Sequence, residues 1–203
     1  EIGDMAPNET RTLRYRVMLM DGYTYIQNSD SKLISNEAQA YAAQYPKDTD
    51  KADLEPKAGL NLKKNASSPV RNEDGSYTIT YTVSGEANKT NMFTLKNVRI
   101  EDSLNDEASP TQEEILAHTG YVGGSFLLYP GTGATGEATS LTPVFQADGR
   151  GFCVEMGNLA PGEAFCIQYQ VRVGLEALAA AGGQQLNVNN RATAFADNAK
   201  LQN

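Results

Sequence analysis

The first and last parts of this chain are copies of one another, and this repeat predicts an array of like modules. Residues 1–17 read EIGDMAPNETRTLRYRV, and residues 155–171 read EMGNLAPGEAFCIQYQV. The offset of 154 residues (155 minus 1) also carries the segment at Asn36 onto the segment at Asn190 without a gap. Self-similarity at a fixed offset is typical of tandem repeats. The identical pairs include Gly3/Gly157, Pro7/Pro161, Glu9/Glu163, Tyr15/Tyr169, Val17/Val171, Asn36/Asn190 and Ala38/Ala192.

The repeat divides the chain into a partial module and a complete one. Residues 1–45 correspond to the last third of a β-sandwich module, and residues 57–203 correspond to the whole of the next module. Residues 46–56 are polar and contain two prolines, which is typical of a linker. Because residues 1–45 lack the strands needed to bury their inner face, we expect the natural protein to be longer than this chain.

Composition and charge exclude several classes of function. The formal net charge is -8, whereas nucleic acid and anionic membranes require a basic surface. No apolar run is long enough to span a bilayer, so we expect no membrane insertion. With one histidine and two cysteines, the chain lacks the ligands of an ordinary zinc site, and a serine-histidine-aspartate triad would depend on His118. We therefore predict no cofactor and no enzyme activity.

The complete module has the pattern of an all-β fold. In residues 76–83, Tyr77, Ile79, Tyr81 and Val83 share one face and threonines the other, which predicts a half-buried strand. Short helices are predicted at residues 109–118 and 175–181. This pattern favours an Ig-like two-sheet antiparallel β-sandwich. Further strands are predicted at residues 59–64, 93–102, 124–129, 142–146, 151–156, 164–173 and 186–196.

Four motifs in a fixed order carry a family resemblance. They are Thr-Ile-Thr-Tyr-Thr-Val at 78–83, Leu-Lys-Asn-Val-Arg-Ile-Glu-Asp-Ser-Leu at 95–104, Gly-Asn-Leu-Ala-Pro-Gly-Glu at 157–163 and Asn-Arg-Ala-Thr-Ala at 190–194. With them the chain resembles the repeat domains of Gram-positive-type surface adhesins and pilins, a family of Ig-like β-sandwiches that includes isopeptide-forming members. The resemblance covers nearly all of residues 57–203, and residues 1–45 as the end of a previous copy. It departs from the family pattern after Asp102, where a longer polar insertion follows.

The resemblance implies an amide cross-link between a lysine of the first strand and an asparagine of the last, assisted by a buried acid. The face of the strand on which each side chain lies indicates which lysine, acid and asparagine would take part. Lys64 shares a face with Leu60 and Leu62, Asp102 follows two apolar residues on its face, and Asn190 shares a face with alanines. We expect a buried Lys64 to lose its proton and become a nucleophile, and Asp102 to share a proton with the Asn190 carboxamide.

Other interpretations of these three residues stay open. A Lys64–Asp102 ion pair with Asn190 hydrogen-bonded nearby would need no covalent bond. If the register differs by one residue, Lys63 replaces Lys64 as the donor. Asn189 or Asn187 would then be the alternative acceptor.

Two weaker signals concern a disulfide and a metal. Cys153 and Cys166 flank the Leu-Ala-Pro-Gly turn, and a tight hairpin would place them opposite each other, so a disulfide is predicted. In the linker, Asp48, Asp50 and Asp53 form a weak calcium candidate, since carboxylates are calcium ligands. A solvated acidic linker is the simpler interpretation.

The sequence therefore favours a structural stalk or backbone module of a cell-surface adhesin or pilus, located outside the cell at the surface or cell wall. Its expected partners are neighbouring repeats or pilus subunits. The alternative is an adhesin module that binds a host, matrix or polysaccharide ligand through its loops at 105–123 and 131–140. A binding site there should expose clustered aromatic side chains, and only Tyr121 and Tyr129 lie near these loops.

Overall fold

A computed structural model describes residues 1–17, 34–43, 45–54, 56, 58–104, 110–182 and 188–201. The described residues form thirteen strands and two short helices. The strands are β1 (Ile34–Ala42), β2 (Tyr45–Leu54), β3 (Leu60–Ala66), β4 (Val70–Arg71), β5 (Tyr77–Ala87), β6 (Leu95–Leu104), β7 (Thr119–Tyr121), β8 (Leu127–Pro130), β9 (Thr139–Ser140), β10 (Val144–Phe145), β11 (Gly151–Leu159), β12 (Ala164–Val173) and β13 (Asn190–Phe195). The helices are α1 (Pro110–Ala117) and α2 (Leu175–Ala180).

Two antiparallel sheets build the sandwich, as the strand pattern predicts. The larger sheet has the order β3-β5-β12-β8-β9, with β4 also paired to β5 and β7 to β12. The smaller sheet has the order β10-β11-β6-β13. The all-β sandwich class predicted from the alternating pattern is confirmed.

The core lies between these two sheets because each strand alternates. In β5 and β12 the inward residues, such as Val83, Ile167 and Val171, are almost completely buried. In β6 and β11 the same rule buries Ile100 and Val154. These side chains belong to one continuous apolar cluster, which holds the two sheets together. All residues of the apolar clusters lie between Ala58 and Leu201.

The first and last strands of the sandwich lie side by side. Strand β3 is the edge of the larger sheet, β13 is the edge of the smaller sheet, and the two strands are in contact. The start of β3 pairs with the end of β5, where Leu60 is opposite Ala87. The end of β13 pairs near the start of β6, where Phe195 is opposite Arg99. Since residues 88–94 join β5 directly to β6, the start of β3 and the end of β13 lie at the same end of the sandwich.

The segment predicted as a linker differs from expectation. Residues 45–54 form β2, which pairs with β1 in a separate two-stranded antiparallel sheet, with Ser35 opposite Asp53. Every residue of β2 is exposed, so this hairpin contributes no buried core. The prolines of the segment lie near the ends of this strand, and for that reason they do not prevent pairing. Residue 55 lies outside the described residues.

The two copies of the repeated motif share local backbone geometry. In both Ala-Pro-x-Glu turns the alanine N–H donates to the glutamate carboxylate, at 2.8 Å for Ala6 and Glu9 and 2.9 Å for Ala160 and Glu163. The third turn residue has a positive φ in both copies, 65° at Asn8 and 82° at Gly162. The larger structure differs, because residues 1–17 contain no strand whereas their counterparts form parts of β11 and β12.

In the part of the chain that the structure describes, neither helix has the length and apolar character needed to cross a membrane.

Candidate cross-link site

A buried ion pair joins the first strand of the sandwich to the facing sheet. Lys64 Nζ on β3 contacts Asp102 Oδ2 on β6. The side chain of Asp102 is completely buried, and that of Lys64 is 15 % exposed. Strand alternation produces this contact, since Lys64 follows Leu60 and Leu62 on the inward face of β3 and Asp102 follows Ile100 on that of β6.

Aromatic rings surround the ammonium group. Lys64 Nζ lies 5.1 Å from the ring centroid of Tyr81 and 5.6 Å from that of Tyr169. The two tyrosine rings are stacked with their centroids 5.7 Å apart. Ring faces attract a cation, so they partly replace the water that Lys64 loses on burial.

Two tyrosine hydroxyls complete the shell of the carboxylate. Tyr169 donates to Asp102 Oδ2 at 2.8 Å, and Tyr121 donates to Asp102 Oδ1 at 3.0 Å. Both carboxylate oxygens therefore have partners, as a buried charge requires. Asp102 receives these bonds from β12 and β7 of the larger sheet, while Lys64 approaches from the edge of the same sheet.

Asn190 reaches this cluster through Tyr169. Its Nδ2 donates to the Tyr169 hydroxyl at 3.1 Å, and that hydroxyl in turn donates to Asp102. The Oδ1 atom of Asn190 is buried, and no described residue donates a hydrogen bond to it. The carboxamide is thus held by its nitrogen, and its carbonyl group is shielded from water.

Burial lowers the pKa of Lys64 to about 8, although the attraction of Asp102 opposes this shift. An amine with this pKa is neutral in a fraction on the order of a tenth at pH 7, whereas an ordinary lysine is almost entirely charged. The groups that face this amine are Asp102 on β6, Tyr81 on β5 and Tyr169 on β12. The site therefore combines a lysine amine with a lowered pKa, a buried carboxylate in contact with it and a buried carboxamide.

The residues predicted from parity come together in the structure, and the covalent bond between them stays a prediction. The alternatives are less suitable: Lys63 and Asn189 are both exposed, and Asn187 lies outside the described residues. One detail of the prediction needs correction. Asp102 was expected to share a proton with the Asn190 carboxamide and polarise its carbonyl, but the hydroxyl of Tyr169 lies between the Asp102 carboxylate and the Asn190 nitrogen.

Sequence reasoning overlooked the two tyrosines that bind Asp102. Tyr169 has inward parity in β12, so the alternation of that strand could have identified it as a neighbour of the buried acid. Tyr121 was assigned to a surface loop. Instead it lies in β7, which pairs with β12 and places Tyr121 opposite Val171. That pairing could not be read from a three-residue strand.

The predicted disulfide is wrong. Strand β11 pairs with β6 and β10, whereas β12 pairs with β5, β7 and β8, so the turn between β11 and β12 crosses from one sheet to the other. Cys153 and Cys166 have outward parity on different sheets and are free thiols. A hairpin interpretation fails here because strands that are adjacent in sequence need not be paired in a sandwich.

The candidate calcium ligands do not form a cluster either. Among the described residues, no group of three or more His, Cys, Asp or Glu side chains could hold a metal ion. Asp48, Asp50 and Asp53 are spread along the exposed strand β2. The carboxylate of Asp53 accepts a hydrogen bond from Ser35 and lies 3.5 Å from Lys51 Nζ.

Comparison with known proteins gives only distant similarities. No protein-family model matches the chain, and no curated protein matches it significantly. Among solved structures, a collagen-binding domain from a Staphylococcus aureus adhesin is 12% identical, with a TM-score of 0.39 over 66% of this chain and 84% of that chain. The RrgA Jo.In complex is 16% identical, with a TM-score of 0.33 over 56% of this chain and 60% of that chain. Similarity at this level carries no argument about function.

The two free thiols predict a distinct labelling pattern. Cys166 is fully buried, while Cys153 is partly accessible with its pKa raised by burial and by the nearby Glu155 and Glu101 carboxylates. We expect a thiol-specific alkylating reagent to modify the native chain slowly at one site and the denatured chain rapidly at two. Intact mass measured without reductant is the readout.

The substitutions Cys153→Ser and Cys166→Ser are the matched pair for this experiment. The first should abolish native labelling, and the second should leave it unchanged. A non-reduced mass lower by two hydrogens, with no reactive thiol in denaturant, would restore the disulfide.

Proposed function

We propose that this chain is a structural module of a bacterial cell-surface adhesin or pilus, outside the cell, and that an isopeptide bond between Lys64 and Asn190 stabilises it. The observation that carries the proposal is one connected cluster, in which Lys64 contacts the Asp102 carboxylate and the Tyr169 hydroxyl donates to that carboxylate and accepts from Asn190. These residues come from the first strand, the central strand and the last strand of one sandwich. The motifs shared with adhesin and pilin repeat domains support the same role.

The electrostatics of the site favour this reaction. Before it, a lysine ammonium and an aspartate carboxylate must share a mostly apolar interior, which is costly even for a pair. When Lys64 passes its proton to Asp102 and forms an amide with Asn190, both charges disappear. The product is neutral and the ammonia departs, so the buried charge no longer opposes folding.

The position of the bond supports a mechanical function. Strands β3 and β13 are the sheet edges at which the module begins and ends. Lys64 and Asn190 are 126 residues apart (190 minus 64), and by analogy with disulfides a covalent closure of that length contributes ~5 kcal/mol to stability. Tension applied to the ends of the module would pass through the bond and bypass the strands between.

The partial repeat supports assembly in tandem. Asn36 Nδ2 donates to the Tyr15 hydroxyl at 2.5 Å, and the residues one repeat further on, Asn190 and Tyr169, make the same contact. The two copies also share the geometry of their Ala-Pro-x-Glu turns. We therefore propose that residues 1–45 are the end of a preceding module of the same kind, with Asn36 as its acceptor asparagine.

Exposure of apolar side chains in the first copy fits this proposal. Leu13 and Val17 are 80% and 86% exposed, while their counterparts Ile167 and Val171 are completely buried. Tyr15 is 60% exposed, whereas Tyr169 is buried. These positions thus have the residue types of a core, but the described residues form no core around them. The partner that fits is a half-sandwich with the pattern of residues 57–154, which neighbouring repeats would supply.

The ligand-binding alternative has no specific observation in its favour. Tyr121, one of the two aromatic residues near the candidate loops, directs its hydroxyl to Asp102 inside the sandwich. The other, Tyr129, lies in β8 opposite Cys166. We therefore retain the structural role as the proposed function.

The intact mass of the denatured, reduced chain tests the cross-link. We expect the mass to fall short of the sequence mass by one ammonia, because the bond forms with loss of the Asn190 amide nitrogen. Fragmentation should locate the branch between the peptides that contain Lys64 and Asn190.

Neighbouring residues supply matched controls for the mass measurement. Lys64→Ala and Asn190→Ala should both restore the full mass, whereas Lys63→Ala and Asn189→Ala, at exposed positions, should leave the deficit unchanged. Asn190→Ala keeps the ion pair intact, so it separates loss of the bond from loss of folding. A wild-type mass equal to that of the plain sequence would refute the cross-link.

Pulling on single molecules by the two ends of residues 57–203 tests the mechanical role. The cross-linked chain should show no unfolding step of the segment between Lys64 and Asn190. Asn190→Ala should release that segment, with an extension on the order of 400 Å from about 3.4 Å per residue. Equal extension in both chains would contradict a load-bearing bond.

Removal of residues 1–45 tests the division into modules. All the described core residues lie beyond residue 57, so the shortened chain should keep the melting temperature and the mass deficit of the full chain. In the full chain, amide hydrogens of residues 1–17 should exchange with solvent far faster than those of β12. Loss of folding on truncation would show that residues 1–45 belong to the complete module.

A further inference from the structure

We propose that the hydroxyl of Tyr169 is a catalytic proton relay, which carries a proton from Asp102 to the departing nitrogen of Asn190. This inference rests on the proposed cross-link and assigns a residue to its most demanding step. An amide nitrogen is a poor leaving group until it is protonated, so some group must deliver a proton to Nδ2.

The hydroxyl of Tyr169 is the group placed to deliver a proton to Asn190 Nδ2. Its hydroxyl lies 3.1 Å from Asn190 Nδ2 and 2.8 Å from Asp102 Oδ2. Lys64 Nζ contacts the same carboxylate oxygen, Oδ2. One continuous path therefore runs from the attacking nitrogen, through Asp102 Oδ2 and the Tyr169 hydroxyl, to the nitrogen that leaves.

The direction of this path reverses during the reaction. In the starting state the Asn190 amide nitrogen has no basic lone pair, so it donates to Tyr169, and Tyr169 donates to the Asp102 carboxylate. In the tetrahedral intermediate the same nitrogen is an amine, which accepts a proton. Asp102, having taken a proton from Lys64, then donates to Tyr169, and Tyr169 donates to Nδ2.

Atoms and charges balance along this route. The Lys64 ammonium gives a proton to the Asp102 carboxylate, and the neutral Nζ forms a bond to Cγ of Asn190 while the carbonyl π pair moves to Oδ1. The Asp102 proton reaches Nδ2 through Tyr169, the Cγ–Nδ2 bond breaks, and the carbonyl re-forms as ammonia leaves. The new amide nitrogen returns its surplus proton to Asp102, which ends as a neutral acid.

The state of the Tyr169 side chain suits this role. Its ring and hydroxyl are fully buried, and both the burial and the adjacent Asp102 raise its pKa. With its pKa raised above the ordinary tyrosine value, the hydroxyl keeps its proton at neutral pH. A group that stays neutral can exchange one proton for another without leaving a charge behind.

Tyr121 provides a matched control within the same site. Its hydroxyl donates to Oδ1 of Asp102, the carboxylate oxygen that is not on the path, and it also contacts the carbonyl oxygen of Arg150. Removing either hydroxyl costs Asp102 one hydrogen bond. Only the removal of the Tyr169 hydroxyl also interrupts the path to the leaving nitrogen.

The experiment follows formation of the bond after refolding. Wild-type, Tyr169→Phe and Tyr121→Phe chains are recovered from inclusion bodies directly into denaturant, before they can fold, and intact mass confirms that they still have the full sequence mass. They are then diluted to refold, and samples are taken over time for mass, with circular dichroism to follow folding. We expect Tyr169→Phe to form the bond at least ~100-fold more slowly than wild type, the range typical of a lost general acid, and Tyr121→Phe only a few-fold more slowly.

Each outcome has a distinct meaning. If wild type loses no ammonia, the proposed cross-link fails and the relay fails with it. If wild type cross-links and the two variants are slowed equally, the relay is refuted, because both substitutions affect Asp102 alike, while the cross-link stands.

A second measurement needs no substitution, so it tests the relay even if the Tyr169→Phe chain does not fold. The wild-type rate is measured in mixtures of light and heavy water. Transfer through Tyr169 moves two protons together, so the rate should depend on the deuterium fraction along a curve. A straight-line dependence would overturn the relay.

Discussion

The pairing of Lys64 with Asp102 inside the sandwich is the interaction on which the rest of this structure depends. A carboxylate that is fully buried requires a cation and hydrogen-bond donors, and the fold supplies Lys64 and two tyrosine hydroxyls. Removing one partner of such a pair typically costs about 3–5 kcal/mol, because an uncompensated charge remains buried. Burying this ion pair therefore costs free energy. The proposed bond would leave the site neutral and remove that cost, which is the physical reason to regard the site as reactive.

Topology explains why the proposed bond would bear load. The strand that begins the sandwich and the strand that ends it are the neighbouring edges of two different sheets. Among the described strand pairings, no backbone ladder joins β3 to β13. The proposed bond would join these two strands directly. Tyr169 contacts both Lys64 and Asn190 because β12 lies centrally in the larger sheet.

The candidate site could be predicted only in part. Lys64, Asp102 and Asn190 follow from strand parity, since a side chain on the inward face of a half-buried strand must enter the core. Tyr169 and Tyr121 were overlooked, because parity gives the face of a strand and not the neighbour across the core. The disulfide between Cys153 and Cys166 failed for the related reason that their strands, although consecutive, belong to different sheets.

The sequence by itself determined the all-β class and the positions of most strands, and it predicts the repeat that relates Asn36 to Asn190. Alternation, turn residues and self-similarity are local properties, and they can be read without knowledge of the partners. Only the tertiary structure decided which strands pair, that residues 45–54 form a strand, and that a tyrosine hydroxyl stands between Asp102 and Asn190. These features depend on contacts between residues far apart in the chain, where many pairings satisfy the same local pattern and packing of the whole core selects one.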